Sequence, residues 1–144
     1  MIKKLSIAVP GLLLVAFLLY SCEKEKAAIP TEPIKEIDGS WKIVGAQRNG
    51  TDMINRFDFS KFRITFSGNT YTISNPVPFI QEGAGTWSFD DASYPFKMNF
   101  QENGGNTKST EIQYPVKNGK RNIVISFSPG CAANTYQYTL EKEN

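Results

Sequence analysis

From residue 39 onward, apolar and polar side chains alternate with a period of two in eight successive runs, the pattern of strands that bury one face. In the first, Gly39 to Arg48, Trp41 and Ile43 alternate with Lys42 and Val44, and Asn49-Gly50 stops the run. The second, Lys61 to Ser67, sets Phe62, Ile64 and Phe66 against Lys61, Arg63 and Thr65. A turn at Ser67-Gly68-Asn69 leads to the third, Thr70 to Ser74, with Tyr71 and Ile73 on the apolar side. Gly85 to Phe89 is the fourth, turned at Asp90 to Tyr94 into a fifth with Phe96, Met98 and Phe100. Ile112, Tyr114 and Val116 mark the sixth. Asn118-Gly119, a dipeptide that tolerates positive φ at both positions, turns it into Arg121, Ile123, Ile125 and Phe127 of the seventh. Tyr136, Tyr138 and Leu140 form the eighth.

No stretch offers a long amphipathic helix, so the pattern predicts an all-β domain: an eight-stranded antiparallel up-and-down barrel, whose closure removes exposed edges. A two-sheet β-sandwich is the alternative closure. The connections differ by end. Gly68-Asn69, Asp90 to Tyr94 and Asn118-Gly119 share one end and are short, whereas Asn49 to Ser60, Asn75 to Ala84, Gln101 to Ser109 and Ser128 to Asn134 share the other and are longer. This is the asymmetry of a cup with a pinched floor and a loop-rimmed mouth.

The N-terminal part has a different pattern. Met1-Ile2-Lys3-Lys4 is a basic lead, and Leu5 to Tyr20 is an apolar run broken only by Ser6 and Pro10-Gly11, too short for a membrane span. Its end, Leu18-Leu19-Tyr20-Ser21-Cys22, resembles a bacterial lipoprotein signal. That resemblance implies a signal peptide over residues 1–21, lipid on Cys22, and a protein anchored in the cell envelope, at the outer membrane. Residues 22–38 are charged and bear proline without an apolar period, and they read as a flexible tether reaching at most about 50 Å. Glu23-Lys24-Glu25 loosely resembles the acidic export signals of Bacteroidota lipoproteins. The tether enters at Trp41, so the mouth is expected to face away from the membrane.

Composition removes several kinds of chemistry. Lys3 and Lys4 account for the whole formal charge of +2, leaving a balanced remainder with no field for nucleic acid. Histidine is absent, which excludes imidazole ligands, bases and the histidine-dependent triads. With Cys22 used by lipid, Cys131 has no intramolecular partner, and no neighbour in Ser128-Pro129-Gly130-Cys131 activates its thiol. Asp90-Asp91 lacks the spacing of a calcium loop. No metal, cofactor or catalytic residue is expected, and the chain is read as a non-enzyme; Asp52, Asp58 and Glu82 are the ionisable loop residues nearest such a role.

Gly39-Ser40-Trp41 resembles the Gly-x-Trp signature at the first strand of lipocalins, and residues 39–144 resemble lipocalin-like domains of unknown function in Bacteroidota lipoproteins. The run Asn49-Gly50-Thr51-Asp52, followed by Phe57-Asp58-Phe59-Ser60 and Phe62 to Phe66, carries most of the second likeness. The resemblance implies a floor built from Gly39, Trp41 and Arg121, with Arg121 covering Trp41 by a cation–π contact, as an arginine does in many lipocalins. The chain departs from lipocalins in being shorter and in lacking a C-terminal helix and a disulfide.

The inward set is rich in aromatic side chains, which either line an apolar cavity or fill the barrel solid. Met53, Phe57, Val77 and Phe79 in the mouth loops, with Tyr71, Trp87, Tyr114, Tyr136 and Tyr138 in the wall, are the expected ligand-binding residues. Two partners fit: a small apolar or amphipathic ligand held in a cavity, or an envelope protein or glycan docked on the mouth loops of a solid barrel.

Overall fold

The computed structural model describes residues 32–79 and 81–144. The signal segment, Cys22 and the tether up to residue 31 lie outside the described residues. Ten strands follow in order: β1 (Gly39–Arg48), β2 (Thr51–Asp52), β3 (Arg63–Ser67), β4 (Thr70–Ser74), β5 (Ala84–Phe89), β6 (Lys97–Glu102), β7 (Thr107–Gln113), β8 (Val116–Lys117), β9 (Lys120–Phe127) and β10 (Tyr136–Lys142).

Eight of them form the wall, in the order β10-β1-β3-β4-β5-β6-β7-β9, every neighbour antiparallel. Pairing of β9 with β10, from Asn122↔Glu141 to Phe127↔Tyr136, closes the cylinder. That closure excludes the sandwich, which requires two sheets with separate edges. The short β2 and β8 extend the hairpins at β1 and β9.

The alternation positions the wall as expected in most strands. Ile64 and Phe66 of β3, Tyr71 of β4, Met98 and Phe100 of β6, Ile123, Ile125 and Phe127 of β9, and Tyr138 and Leu140 of β10 are buried. In β1 the period changes phase. Register shifts between Ile43 and Gly45, so Val44 bulges outward and Ala46 takes the next inward place after Trp41 and Ile43. Asn118 and Gly119, at φ 51° and 75°, make the mirror-image hairpin turn that their types favour.

Three expectations change at the floor. Residues 32–38 are not all tether: Ile37 is 1 % exposed within the core, Lys35 donates its backbone N–H to the Ala92 carbonyl, and the Asp38 carboxylate accepts from the Gly68 N–H. Arg121 does not cover Trp41. The Trp41 indole N–H donates to the Ile37 carbonyl at 2.7 Å, so the residue before the barrel seals the floor, and Arg121 lies 5.3 Å over the Tyr114 ring. Phe96 and Val116 do not point inward: Phe96 is 72 % exposed where the turn enters β6, and Val116 sits in a hairpin that continues past the β7–β9 pairing. Gly39, at φ 119°, opens β1 beside Lys142.

The mouth carries three long connections, residues 53–62, 75–83 and 128–135. The fourth, expected to be long, is the four residues 103–106, whereas the floor turn between β5 and β6 takes seven. Asp90 explains that turn. Its carboxylate accepts the backbone N–H groups of Asp91, Phe96 and Lys97, and Asp91 accepts those of Ser93 and Tyr94. These hydrogen bonds, that from Lys97 foremost, hold the Asp90 carboxyl below the usual carboxylate range.

Candidate functional site

Phe79 decides what the barrel holds. It comes from the 75–83 connection, is 8 % exposed, and enters the mouth among the rings of Phe62, Phe100, Phe127 and Tyr138, at centroid distances of 5.6, 6.0, 5.6 and 6.2 Å. The Tyr138 hydroxyl donates to the Pro78 carbonyl at 2.8 Å and fixes the loop in that position. Val77 is buried beside it in the same core cluster. Below, Phe66 packs on Trp87 at 5.2 Å and Tyr71 packs edge-on to Phe100 at 5.2 Å, continuing the fill towards Trp41.

Two polar atoms in this interior have no partner among the described residues, the Tyr71 hydroxyl and the Trp87 indole N–H. Burial, with Glu102 nearby, raises the Tyr71 phenol above its ordinary pKa.

The mouth end carries two openings. The wider, about 710 Å³, is lined by Phe79 and Phe127 with Lys108, Thr110, Ser128 and Thr135. The smaller measures about 90 Å³ and is lined by Gln47, Arg48, Met53, Phe57, Phe59, Pro78, Tyr136 and Tyr138. The loop around it is tightly wound. Met53 donates its N–H to the Ala46 carbonyl and accepts those of Arg56 and Phe57, while Asp52 and Asp58 each accept the N–H two residues on. The hydrogen bonds from Ser60 lower the Asp58 pKa. Asp52 and Asp58 thus cap turns. The wound loop leaves Phe57 half exposed, backed by Phe59 at 5.0 Å. Across the opening, Arg48 lies 5.6 Å over the Tyr136 ring and donates to the Asn134 side-chain oxygen at 2.7 Å.

Residues 20–141 match the family described as Domain of unknown function (DUF5004). The chain belongs to that family. No curated protein and no solved structure matches it significantly.

The DUF5004 domain brings four of the expected ligand residues, Met53, Phe57, Tyr136 and Tyr138, to one mouth opening. Val77 and Phe79 fill the barrel under it, and Tyr71 and Trp87 belong to the packed interior. Tyr114 is apart from all of them. It lies at the floor under Arg121, its hydroxyl donating to the Glu36 carbonyl at 3.3 Å, and burial pushes its pKa up to about 12. Gln47, Arg48, Phe59 and Pro78 were not among the expected residues. The bulge at Val44 is what reverses the phase of β1 ahead of Gln47 and Arg48, and no alternation reveals it. Cys131 is exposed in the 128–135 connection, its N–H bonded to the Pro129 carbonyl.

Proposed function

We propose that this DUF5004 protein is a non-catalytic binding module of the bacterial cell envelope, anchored in the outer membrane by lipid on Cys22 and recognising an envelope protein or glycan through its mouth rim. The filled barrel carries this reading, since Phe79 occupies the space a lipocalin ligand would need. The rim has the chemistry of a recognition surface. Phe57 offers an aromatic face, and Arg48, Gln47 and Asn134 offer hydrogen-bonding groups around it. The closed barrel, with Gly39-Ser40-Trp41 opening its first strand, supports kinship with lipocalins. Chain entry at the floor supports a mouth that faces away from the membrane, and the balanced charge argues against nucleic acid.

The test is capture from outer-membrane extract and on a glycan array, using the full chain in detergent and its Phe57→Asp and Arg48→Ala variants. A partner bound by the native chain and lost by both variants is expected. A partner that binds all three equally contradicts a rim site.

The second reading, a small apolar or amphipathic ligand within the barrel, draws on the unpartnered Tyr71 hydroxyl and Trp87 N–H. It requires Phe79 to leave the mouth.

A further inference from the structure

Six large apolar side chains stand exposed among the described residues, and four of them belong to the floor end: Ile34, Tyr94, Phe96 and Val116. They come from three neighbouring elements. Ile34 lies on the segment before β1, Tyr94 and Phe96 on the β5–β6 turn, and Val116 on the β8 hairpin. The elements are joined. Lys35 donates its backbone N–H to Ala92 in the turn, Ile112 donates to Phe96, and the Tyr114 hydroxyl beside β8 donates to Glu36. Lys97 and Lys117, both exposed, flank the apolar tips.

We infer that the floor of the barrel rests on the bilayer surface, with these four side chains inserted at the level of the lipid headgroups. The inference rests on the lipid-anchor reading of Cys22. Three observations favour a lipid surface over a protein partner. The chain enters the described domain at Glu32, at this same end, and Cys22 lies ten residues upstream, so an acyl chain there keeps this end within about 33 Å of the membrane. The tips are aromatic and aliphatic, as in interfacial anchors, in a surround of mixed charge: Lys97 and Lys117 beside them, and the exposed Glu36, Asp90 and Asp91 on the same elements. The four tips project from three separate elements, each exposed by half or more, where a protein interface buries a continuous, packed area. The contact also orients the module: it fixes the barrel upright, with Phe57 and the mouth rim directed into the aqueous phase.

The experiment places the full chain, purified from bacterial membranes, in vesicles of phosphatidylethanolamine and phosphatidylglycerol whose acyl chains carry bromine. Tryptophan emission is compared between Phe96→Trp and Phe57→Trp, each corrected for the native Trp41 and Trp87. Quenching several-fold stronger at position 96, with a blue shift on vesicle binding, is expected. Equal or absent quenching in a protein that mass spectrometry shows to be acylated overturns the floor contact and leaves the anchor reading standing. A protein with no acyl mass that fails to float with the vesicles overturns both. A dimer whose formation protects position 96 equally with and without vesicles assigns the patch to a second copy of the chain and overturns the inference.

Discussion

The Tyr138 hydroxyl donates a 2.8 Å hydrogen bond to the Pro78 carbonyl, joining the last strand to the loop whose next residue fills the barrel mouth. Removing that oxygen in Tyr138→Phe takes the partner from the Pro78 carbonyl at a part-buried site. Stability is expected to fall by about 1–2 kcal/mol, read from urea unfolding, with faster amide exchange in the 75–83 loop. Unchanged exchange in that loop would show that the ring contacts of Phe79 hold it alone.

Gly85 marks a second close approach. A Cβ built there lies 2.0 Å from the Gln101 backbone oxygen, so β5 and β6 must separate to accept any side chain. Gly85→Ala is expected to destabilise by at least about 1–3 kcal/mol, the range of an overpacked core. At Gly105 the nearest atom to such a Cβ is 3.4 Å away, and Gly105→Ala is expected to change stability by roughly 0.5 kcal/mol or less. Thermal melts of the two variants check the contrast.

Alkaline behaviour follows from the buried phenols. Burial raises the pKa values of Tyr71, Tyr114 and Tyr138 above the ordinary value of about 10, Tyr114 to about 12. A raised folded-state pKa means stability that is complete below the unfolded pKa and is lost as pH rises towards the folded one. The fold is therefore expected to weaken above about pH 10. Phenolate absorbance should show these tyrosines ionising late, together with loss of the β-sheet circular dichroism signal. Ionisation of all the tyrosines near the ordinary value without unfolding would contradict the packed interior.

At acid pH the carboxylates act in the opposite sense. Asp58, Asp90 and Glu143 have lowered pKa values, from hydrogen bonds with Ser60, Lys97 and Arg63 respectively. Their contribution is present above the unfolded carboxylate pKa values, about 4, and is lost as pH falls through the folded ones. Asp58 and Asp90 are solvent-exposed and Glu143 is half-buried beside Arg63, so the expected effect is local. Amide protection at Phe96 and Lys97 should fade on acidification and be absent in Asp90→Ala at neutral pH. Protection that persists in that variant would show that the turn does not depend on its carboxylate.

Most of the wall was legible because a half-buried strand repeats every two residues, and Phe62-Ile64-Phe66 and Ile123-Ile125-Phe127 keep that period without interruption. Asn118-Gly119 was legible for a local reason, its tolerance of positive φ. What the period could not show is where a strand changes phase or leaves the barrel. Val44 bulges, and Phe96 and Val116 stand beyond the end of the wall although each continues an inward run. Ile37 and Phe79 were harder still. Ile37 follows Ile34, and Phe79 follows Val77, in segments too short to show a period, and each closes one end of the barrel by long-range packing that no local pattern encodes. The candidate site was therefore half readable: Met53, Phe57, Tyr136 and Tyr138 converge as expected, whereas the filling of the space beneath them is a tertiary fact.

Phe79 fills the barrel mouth, which leaves the rim as the proposed recognition surface. The most direct measurement titrates the full chain in detergent with an apolar, environment-sensitive fluorophore, alongside Phe79→Leu and Phe79→Ala. The native chain is expected to show no saturable binding, and one-to-one binding is expected to appear as the ring at position 79 is cut back. Saturable one-to-one binding by the native chain, displaced by a fatty acid and accompanied by quenching of Trp87, would contradict the account and restore the cavity.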